Sequence, residues 1–144
     1  MTDESNPAGS IPETLGQRRV VFMEGGRAQI EYTAGMHMCH SGGVVQGGLI
    51  TGWIDAAMAH AVISQSGLEV VPMSLEIKVT FFAPTRPGLV IAEGWIEKAG
   101  KTTCFAEGLL KDAAGNVLAK GTSTIRLMPR AKVQATSQAA VSPT

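Results

Sequence analysis

The chain has 144 residues, twelve Lys and Arg against twelve Asp and Glu, 44% apolar residues and two cysteines. That length suits one domain with a real core and leaves little room for two. The cancelled charge excludes an overall field that would draw the protein to nucleic acid or an acidic membrane, and two cysteines are too few for a disulfide framework.

Residues 1 to about 16 hold Pro7, Gly9, Pro12 and Gly16 among Ser, Thr and Glu. Such a composition buries too little apolar surface to order itself, so a disordered tail over 1–16 is expected. It shows neither an apolar signal peptide nor a lipidation motif, and a reducing, cytoplasmic location is the expectation. From Arg19 to Thr33, two short apolar or alternating runs flank Glu24-Gly25-Gly26-Arg27. This punctuation predicts a hairpin of two antiparallel strands.

The stretch from His40 to Gly67 opens with two glycine pairs, Gly42-Gly43 and Gly47-Gly48, continues without proline and closes on Gly67. It predicts one long helix. Ile50, Ile54, Ala57, Ala61 and Val62 share it with Trp53, Met58 and Ile63. Apolar residues therefore occur all round, the pattern of a helix buried on most sides. Asp55, His60 and Gln65 inside the run exclude a membrane span. His37, Cys39 and His40 at its entrance lack a fourth ligand and match no zinc spacing, so Cys39 and Cys104 read as small packing residues.

Beyond Gly67, alternation from Met73 onward assigns Met73, Leu75, Ile77, Val79 and Phe81 to one face of a strand, and Ser74, Glu76, Lys78 and Thr80 to the other. Pro84, Pro87 and Gly88 end that strand. Leu89 to Glu97, Thr102 to Lys111 and Val117 to Leu127 are three further strands, joined by short connections rich in Gly, Asp and Asn and hence antiparallel. After Pro129 the composition turns to Ala, Ser, Thr and Gln, and a second disordered tail is expected over 130–144. The domain proper spans 17–129.

Two strands, a long helix and four strands give an α+β domain in which a curved antiparallel sheet wraps one face of a central helix. One sheet covers only part of a helix that is apolar all round. A second subunit is expected to cover the rest, since closed symmetric dimers are the commonest assembly.

Chemistry has three candidate positions. Backbone N–H groups at the helix start have no intrahelical partner and lie at the positive end of the helix dipole, where they suit a carbonyl oxygen becoming an oxyanion. Gly47 and Gly48 would let a substrate approach that backbone. Asp55, flanked by Trp53, Ile54, Ala56, Ala57 and Met58, is a carboxylate in apolar company. Eight residues separate Gly47 from Asp55, about 12 Å along a helix, so one reacting carbonyl cannot touch both in a single chain. If both act, two antiparallel helices from two subunits must bring one chain's Gly47 beside the other's Asp55. Ser74 matters if it faces Asp55. His60, five residues after Asp55, lies on another face of the helix and reads as structural.

The run GGVVQGGLITGWIDAAMAHA followed by SLEIKVTFFAPTRPG resembles the hotdog-fold thioesterases of the phenylacetate-degradation type. That family carries a His-Gly-Gly at the helix start, an Asp or Glu nine residues after the His, and an aromatic-rich strand ending in Pro. The resemblance, from about 17 to 129, implies a hotdog fold and hydrolysis of an acyl-CoA to the free acid and the thiol, with no metal or redox cofactor. It implies that the Gly47 N–H polarises the thioester carbonyl, and that Asp55 attacks as nucleophile or activates water. Ser74 would stand near that water, contributed across the dimer interface.

Two letters depart from the family pattern. The family His is Gln46, and the Asn or Gln six residues earlier is His40. Gln46 can donate and accept hydrogen bonds but lacks the acid–base capacity of an imidazole, so the polar pair is expected to have exchanged places, with His40 near the thioester oxygen or leaving thiolate. The CoA phosphates would need cations, for which Arg86, Lys98 and Lys101 are candidates beside Gly48. Trp53, Met58, Met73 and Phe82 are candidates for the acyl pocket, with core packing as the plainer reading. Tetramers built as dimers of dimers are common in the family. The competing expectations are a hydratase using Asp55 and His60, a pair whose mid-helix context lacks the usual proline, and a dimer that binds acyl-CoA without turnover.

Overall fold

The computed structural model describes residues 9–141. The Gly25-Gly26 pair forms a two-residue loop between β1 (Gln17–Glu24) and β2 (Arg27–Ala34), the expected hairpin. A short ribbon, β3 (Cys39–His40) against β4 (Val44–Val45), leads into α2 (Gly47–Ser66); it is too short for alternation to announce it. Gly67 closes that helix at φ 81°, its N–H bonded to the Ile63 carbonyl. Four long strands follow: β5 (Val70–Phe81), β6 (Gly88–Ala99), β7 (Thr103–Asp112) and β8 (Val117–Pro129). With the hairpin they make one antiparallel sheet in the order β1-β2-β6-β7-β8-β5, and every one of its strands touches α2. This is the α+β hotdog arrangement, a long helix held in a sheet.

Why the helix can lie so close to the sheet is visible in three glycines. Gly94, Gly108 and Gly121 stand in register on β6, β7 and β8, forming a row across the sheet beneath the helix. A Cβ at Gly94 would lie 2.5 Å from the carbonyl carbon and oxygen of Ala57, and one at Gly108 2.9 Å from Ile54 Cγ2. The row is a seat for the α2 backbone, and around it Trp53, Ile54, Ala57 and Met58 are completely buried. Tyr32 stacks on Trp53 with ring centroids 5.8 Å apart, and burial pushes its phenol well above the ordinary tyrosine range. Cys104, also buried, packs in the same core, and burial raises its thiol pKa.

Both expected tails need correction among the described residues. Ser10 caps a single helical turn, α1 (Ile11–Thr14), which Pro12 suits because the first turn needs no N–H there. Leu15 then packs on the core, and its carbonyl accepts the Trp53 indole N–H at 2.7 Å. The tail reading judged this segment by average composition, whereas one apolar side chain and one carbonyl tie it down; residues 1–8 lie outside the described residues. At the other end Arg130–Val141 forms α3, a stretch free of Gly and Pro and rich in Ala, so helix propensity is enough to override its weak apolar pattern. Arg130 anchors it, its N–H bonded to the Glu69 carbonyl and its guanidinium to that of Leu68. Among the described residues no helix is long and apolar enough to cross a membrane.

The face of α2 turned away from the sheet is less apolar than the sequence suggests. Thr51, Gly52, Asp55, Ala56, Ala59 and His60 are half-buried there, most of them small.

Candidate active site

The start of α2 is built by Gln46. Its side-chain oxygen accepts the Gly48 N–H at 2.7 Å, and its main-chain oxygen accepts those of Leu49 and Ile50. The Gly47 N–H, at the first helical position, is left without an intrahelical acceptor. Both glycines have close neighbours: a Cβ at Gly48 would lie 2.7 Å from Gln46 Oε1, the end of a flexible side chain, and one at Gly47 3.1 Å from the Phe81 ring. Gln46 thus serves as the helix cap. Gln46→Ala is expected to cost about 1 kcal/mol, measured by chemical denaturation, since it strips the Gly48 N–H of its acceptor.

Beside Gly47 opens a cavity of about 360 Å³. Its walls are Val44, Val45 and Ile50 with Phe81, Phe82, Ala83 and Pro84, and the polar side chains on it are His40 and Thr85. His40 thus lines the same cavity as Gly47. Of the four side chains considered for an acyl pocket, Phe82 alone lines this cavity; Trp53 and Met58 lie wholly in the core, and Met73 is exposed on the sheet edge. Thr85 was missed, because a Thr between prolines reads as a solvated turn residue and only the tertiary fold buries it.

Asp55 sits half-buried in the middle of α2, where Ser74 Oγ donates to its Oδ1 at 2.7 Å. A β-bulge makes this contact. Ser74 pairs with Ile125 and Glu76 with Thr124, leaving Leu75 as the extra residue. Simple alternation puts Ser74 opposite Ile77 and Val79; the bulge inverts it, turning Ser74 to the helix and leaving Met73 and Leu75 46% and 63% exposed. The expected Met73-to-Phe81 face is therefore broken at Leu75. The Ser74 that the resemblance places across a dimer interface bonds the Asp55 of its own chain.

His60 Nδ1 lies 2.7 Å from the Ala56 carbonyl, one turn back on its own helix. Its ring is committed to α2 and makes no pair with Asp55. The cations are dispersed. Arg86 stands near the helix start, where its guanidinium donates to the Gly42 carbonyl at 3.0 Å. Lys101 lines a cleft with Ser66, Arg126 and Lys132 at the opposite end of α2, and Lys98 is exposed near the end of β6. One chain does not gather Arg86, Lys98 and Lys101 around Gly48.

Residues 42–119 match the sequence pattern of the Thioesterase superfamily. A protein of Saccharolobus solfataricus, provisionally named an esterase, is 31% identical over 117 residues, 81% of this chain and 82% of that protein. Among solved structures, a phenylacetic acid degradation-related protein from Ralstonia eutropha JMP134, provisionally a thioesterase, superposes with a TM-score of 0.77 at 23% identity, covering 85% of this chain and 93% of its own. A hypothetical thioesterase from Streptococcus pneumoniae TIGR4, solved with coenzyme A, gives a TM-score of 0.71 at 18% identity over 77% of this chain and 88% of its own.

Proposed function

Because the chain belongs to the Thioesterase superfamily, we propose that it hydrolyses an acyl-CoA, aromatic or of short to medium chain, to the free acid and CoA. The observation that carries this is Asp55, held by Ser74 of β5 and borne on the same helix whose first N–H, at Gly47, is open beside an apolar cavity. The Gly47 N–H binds the thioester oxygen and stabilises the negative charge that develops on it. Asp55 either takes a proton from the attacking water, whose oxygen bonds the carbonyl carbon as the C–S bond breaks, or attacks that carbon itself, expelling the thiolate and leaving an acyl–Asp55 anhydride that water then cleaves to the free acid and the carboxylate; in both cases the leaving thiolate is protonated. Ser74 fixes one Asp55 oxygen and so aims the other.

About 12 Å of helix separates Gly47 from Asp55, so the working site joins one protomer's Gly47 to its partner's Asp55. Two features support that homodimer. Strand β5 is a twelve-residue edge strand with Met73, Leu75 and Phe81 exposed, a template for pairing with another chain. The outer face of α2 carries small residues that allow a second helix close approach. A dimer of dimers follows the resemblance alone, and Arg86, Lys98 and Lys101 serve CoA phosphates only as contributions from different protomers. Neither alternative fits as well. The hydratase needs His60, whose ring is bonded to its own helix, and a pure binder gains nothing from a carboxylate held by Ser74.

The test is release of free thiol from acyl-CoAs of short, medium, long and aromatic type. Turnover of one class with a sedimenting dimer is the expected result; tight binding without thiol release from any of them would remove the hydrolase reading. Ser74→Ala is expected to lower kcat about tenfold with little change in substrate affinity, the loss of one orienting hydrogen bond. An unchanged kcat would leave Ser74 merely adjacent.

A further inference from the structure

One side chain sets the room beside the free Gly47 N–H. In an α-helix the Cα–Cβ direction tilts toward the N-terminus, the end to which the unpaired N–H groups also point. A Cβ at Gly47 would therefore stand beside the place where an oxygen bonds that N–H. The three atoms nearest to it all belong to the Phe81 ring, Cζ at 3.1 Å, Cε1 at 3.5 Å and Cε2 at 3.7 Å. Carbon atoms sit best about 3.5–4.0 Å apart, so a methyl group in that space is already crowded by Cζ. Phe81 and Gly47 line the same cavity, and Phe81 is 49% exposed, so a bound group can reach the ring.

The backbone that carries the ring is tied on both sides. Phe81 pairs with Ala119 of β8, and the N–H groups of Phe82 and Ala83 both bond the Leu118 carbonyl, at 2.8 and 3.2 Å, where the ladder ends. Beyond Pro84, the Thr85 carbonyl accepts the Val45 N–H at 2.8 Å and fastens this stretch to the ribbon before α2. The ring can leave Gly47 only by turning about its own side-chain bonds, which exchanges its contact at the helix start for water.

We propose that Phe81 is a specificity residue for the carbon next to the thioester carbonyl, and that the site selects acyl groups unbranched at that carbon. This rests on the thioesterase reading of the same site, with the thioester oxygen at the Gly47 N–H and the acyl group in the cavity. The carbonyl carbon and its neighbour then lie at the edge of the cavity that Phe81 forms. A straight chain brings only hydrogen atoms to the ring at that point. A branch on the first carbon brings a methyl group into the space that Cζ crowds, whereas a branch one carbon further along falls in the cavity proper, among Val45, Ile50 and Ala83.

The experiment uses three five-carbon acyl-CoAs, pentanoyl, 3-methylbutanoyl and 2-methylbutanoyl, with wild type, Phe81→Ala, Phe81→Leu and, as the comparison in the same wall, Phe82→Ala. Thiol release gives kcat/KM, each value divided by the rate of the same thioester with hydroxide so that intrinsic reactivity cancels, and calorimetry gives Kd. The wild type is expected to favour pentanoyl and 3-methylbutanoyl over 2-methylbutanoyl by about tenfold or more, the effect of one misplaced methyl group in an apolar pocket. Phe81→Ala and Phe81→Leu should bring that ratio close to one, and Phe82→Ala should leave it as in wild type. Phe81→Leu keeps an apolar side chain on β5 and decides the matter if Phe81→Ala does not fold or sediments as a monomer. A wild type that takes all three alike, or a preference that survives in Phe81→Leu, overturns the proposal while leaving the hydrolase reading intact. If thiol is released from nothing, the hydrolase reading fails, and the ratio of Kd values in wild type and Phe81→Leu decides Phe81 by itself.

Discussion

Asp55→Asn is expected to lower kcat by roughly 10²- to 10⁴-fold, the range for removing a catalytic acid–base group, while acyl-CoA still binds. The substitution keeps the size of the side chain, and its amide oxygen can still accept from the Ser74 hydroxyl, so the bulge on β5 has no reason to move. What is lost is the charge. An amide neither takes a proton from water nor attacks a thioester carbon, and both versions of the mechanism stop at the same atom. Steady-state thiol release gives kcat, calorimetry gives Kd, and the split between them is the result to read: an equal fall in kcat/KM and kcat with Kd unchanged marks a group acting only in the transition state. Should Asp55→Asn keep wild-type kcat, the carboxylate has no part in the chemistry and the Asp55–Ser74 pair is a structural contact. Loss of binding together with activity would instead place Asp55 in the support of the pocket.

The largest effect on stability is expected from Gly94→Ala. The added methyl group would stand 2.5 Å from the carbonyl atoms of Ala57 and 2.6 Å from the Met58 nitrogen, all of them helix backbone. Backbone in the middle of a buried helix has no alternative rotamer, so α2 must lift from the sheet along the glycine row. Overpacking a rigid core costs about 1–3 kcal/mol and occasionally more, and this contact belongs at the upper end. For a chain of this size that is a fall in Tm of roughly 6–12 °C. Because lifting α2 also shifts Gly47 and Asp55, activity should fall with stability even at temperatures where the variant is folded. A Gly94→Ala protein with wild-type Tm would mean that the helix does not rest on this row.

How far the sequence carries the fold depends on which physical signal each element emits. Gly25-Gly26 and Gly67 mark a turn and a helix end through backbone conformations that few other residues adopt, and they announce the hairpin and the end of α2 locally. The long apolar run between them and the alternation of the later strands are equally local, so the order of elements and the α+β class are legible in the chain. The termini are less legible. Leu15 is held by a carbonyl–indole bond to Trp53, a partner 38 residues away, which no composition average contains.

The candidate site divides in the same way. Gly47 and Asp55 stand out because a helix start and a carboxylate among apolar neighbours are unusual in themselves, and if both act their spacing requires two subunits. Ser74 is a different case. The pairing of Asp55 with it depends on a bulge at Leu75 that reverses the alternation, and a register shift is decided by the partner strand β8. Thr85 carries no local mark at all; folding the Pro84–Pro87 strap over the start of α2 is what buries its hydroxyl and leaves it unpaired. The glycine row was overlooked for the same reason, since Gly94, Gly108 and Gly121 become one surface only when three strands are placed side by side. The sequence by itself determined the hairpin, the long helix, the four later strands and the candidate residue types, because these rest on interactions within a few positions along the chain. Tertiary structure decided which side chains meet, because that is set by strand register and by how closely two backbones can approach.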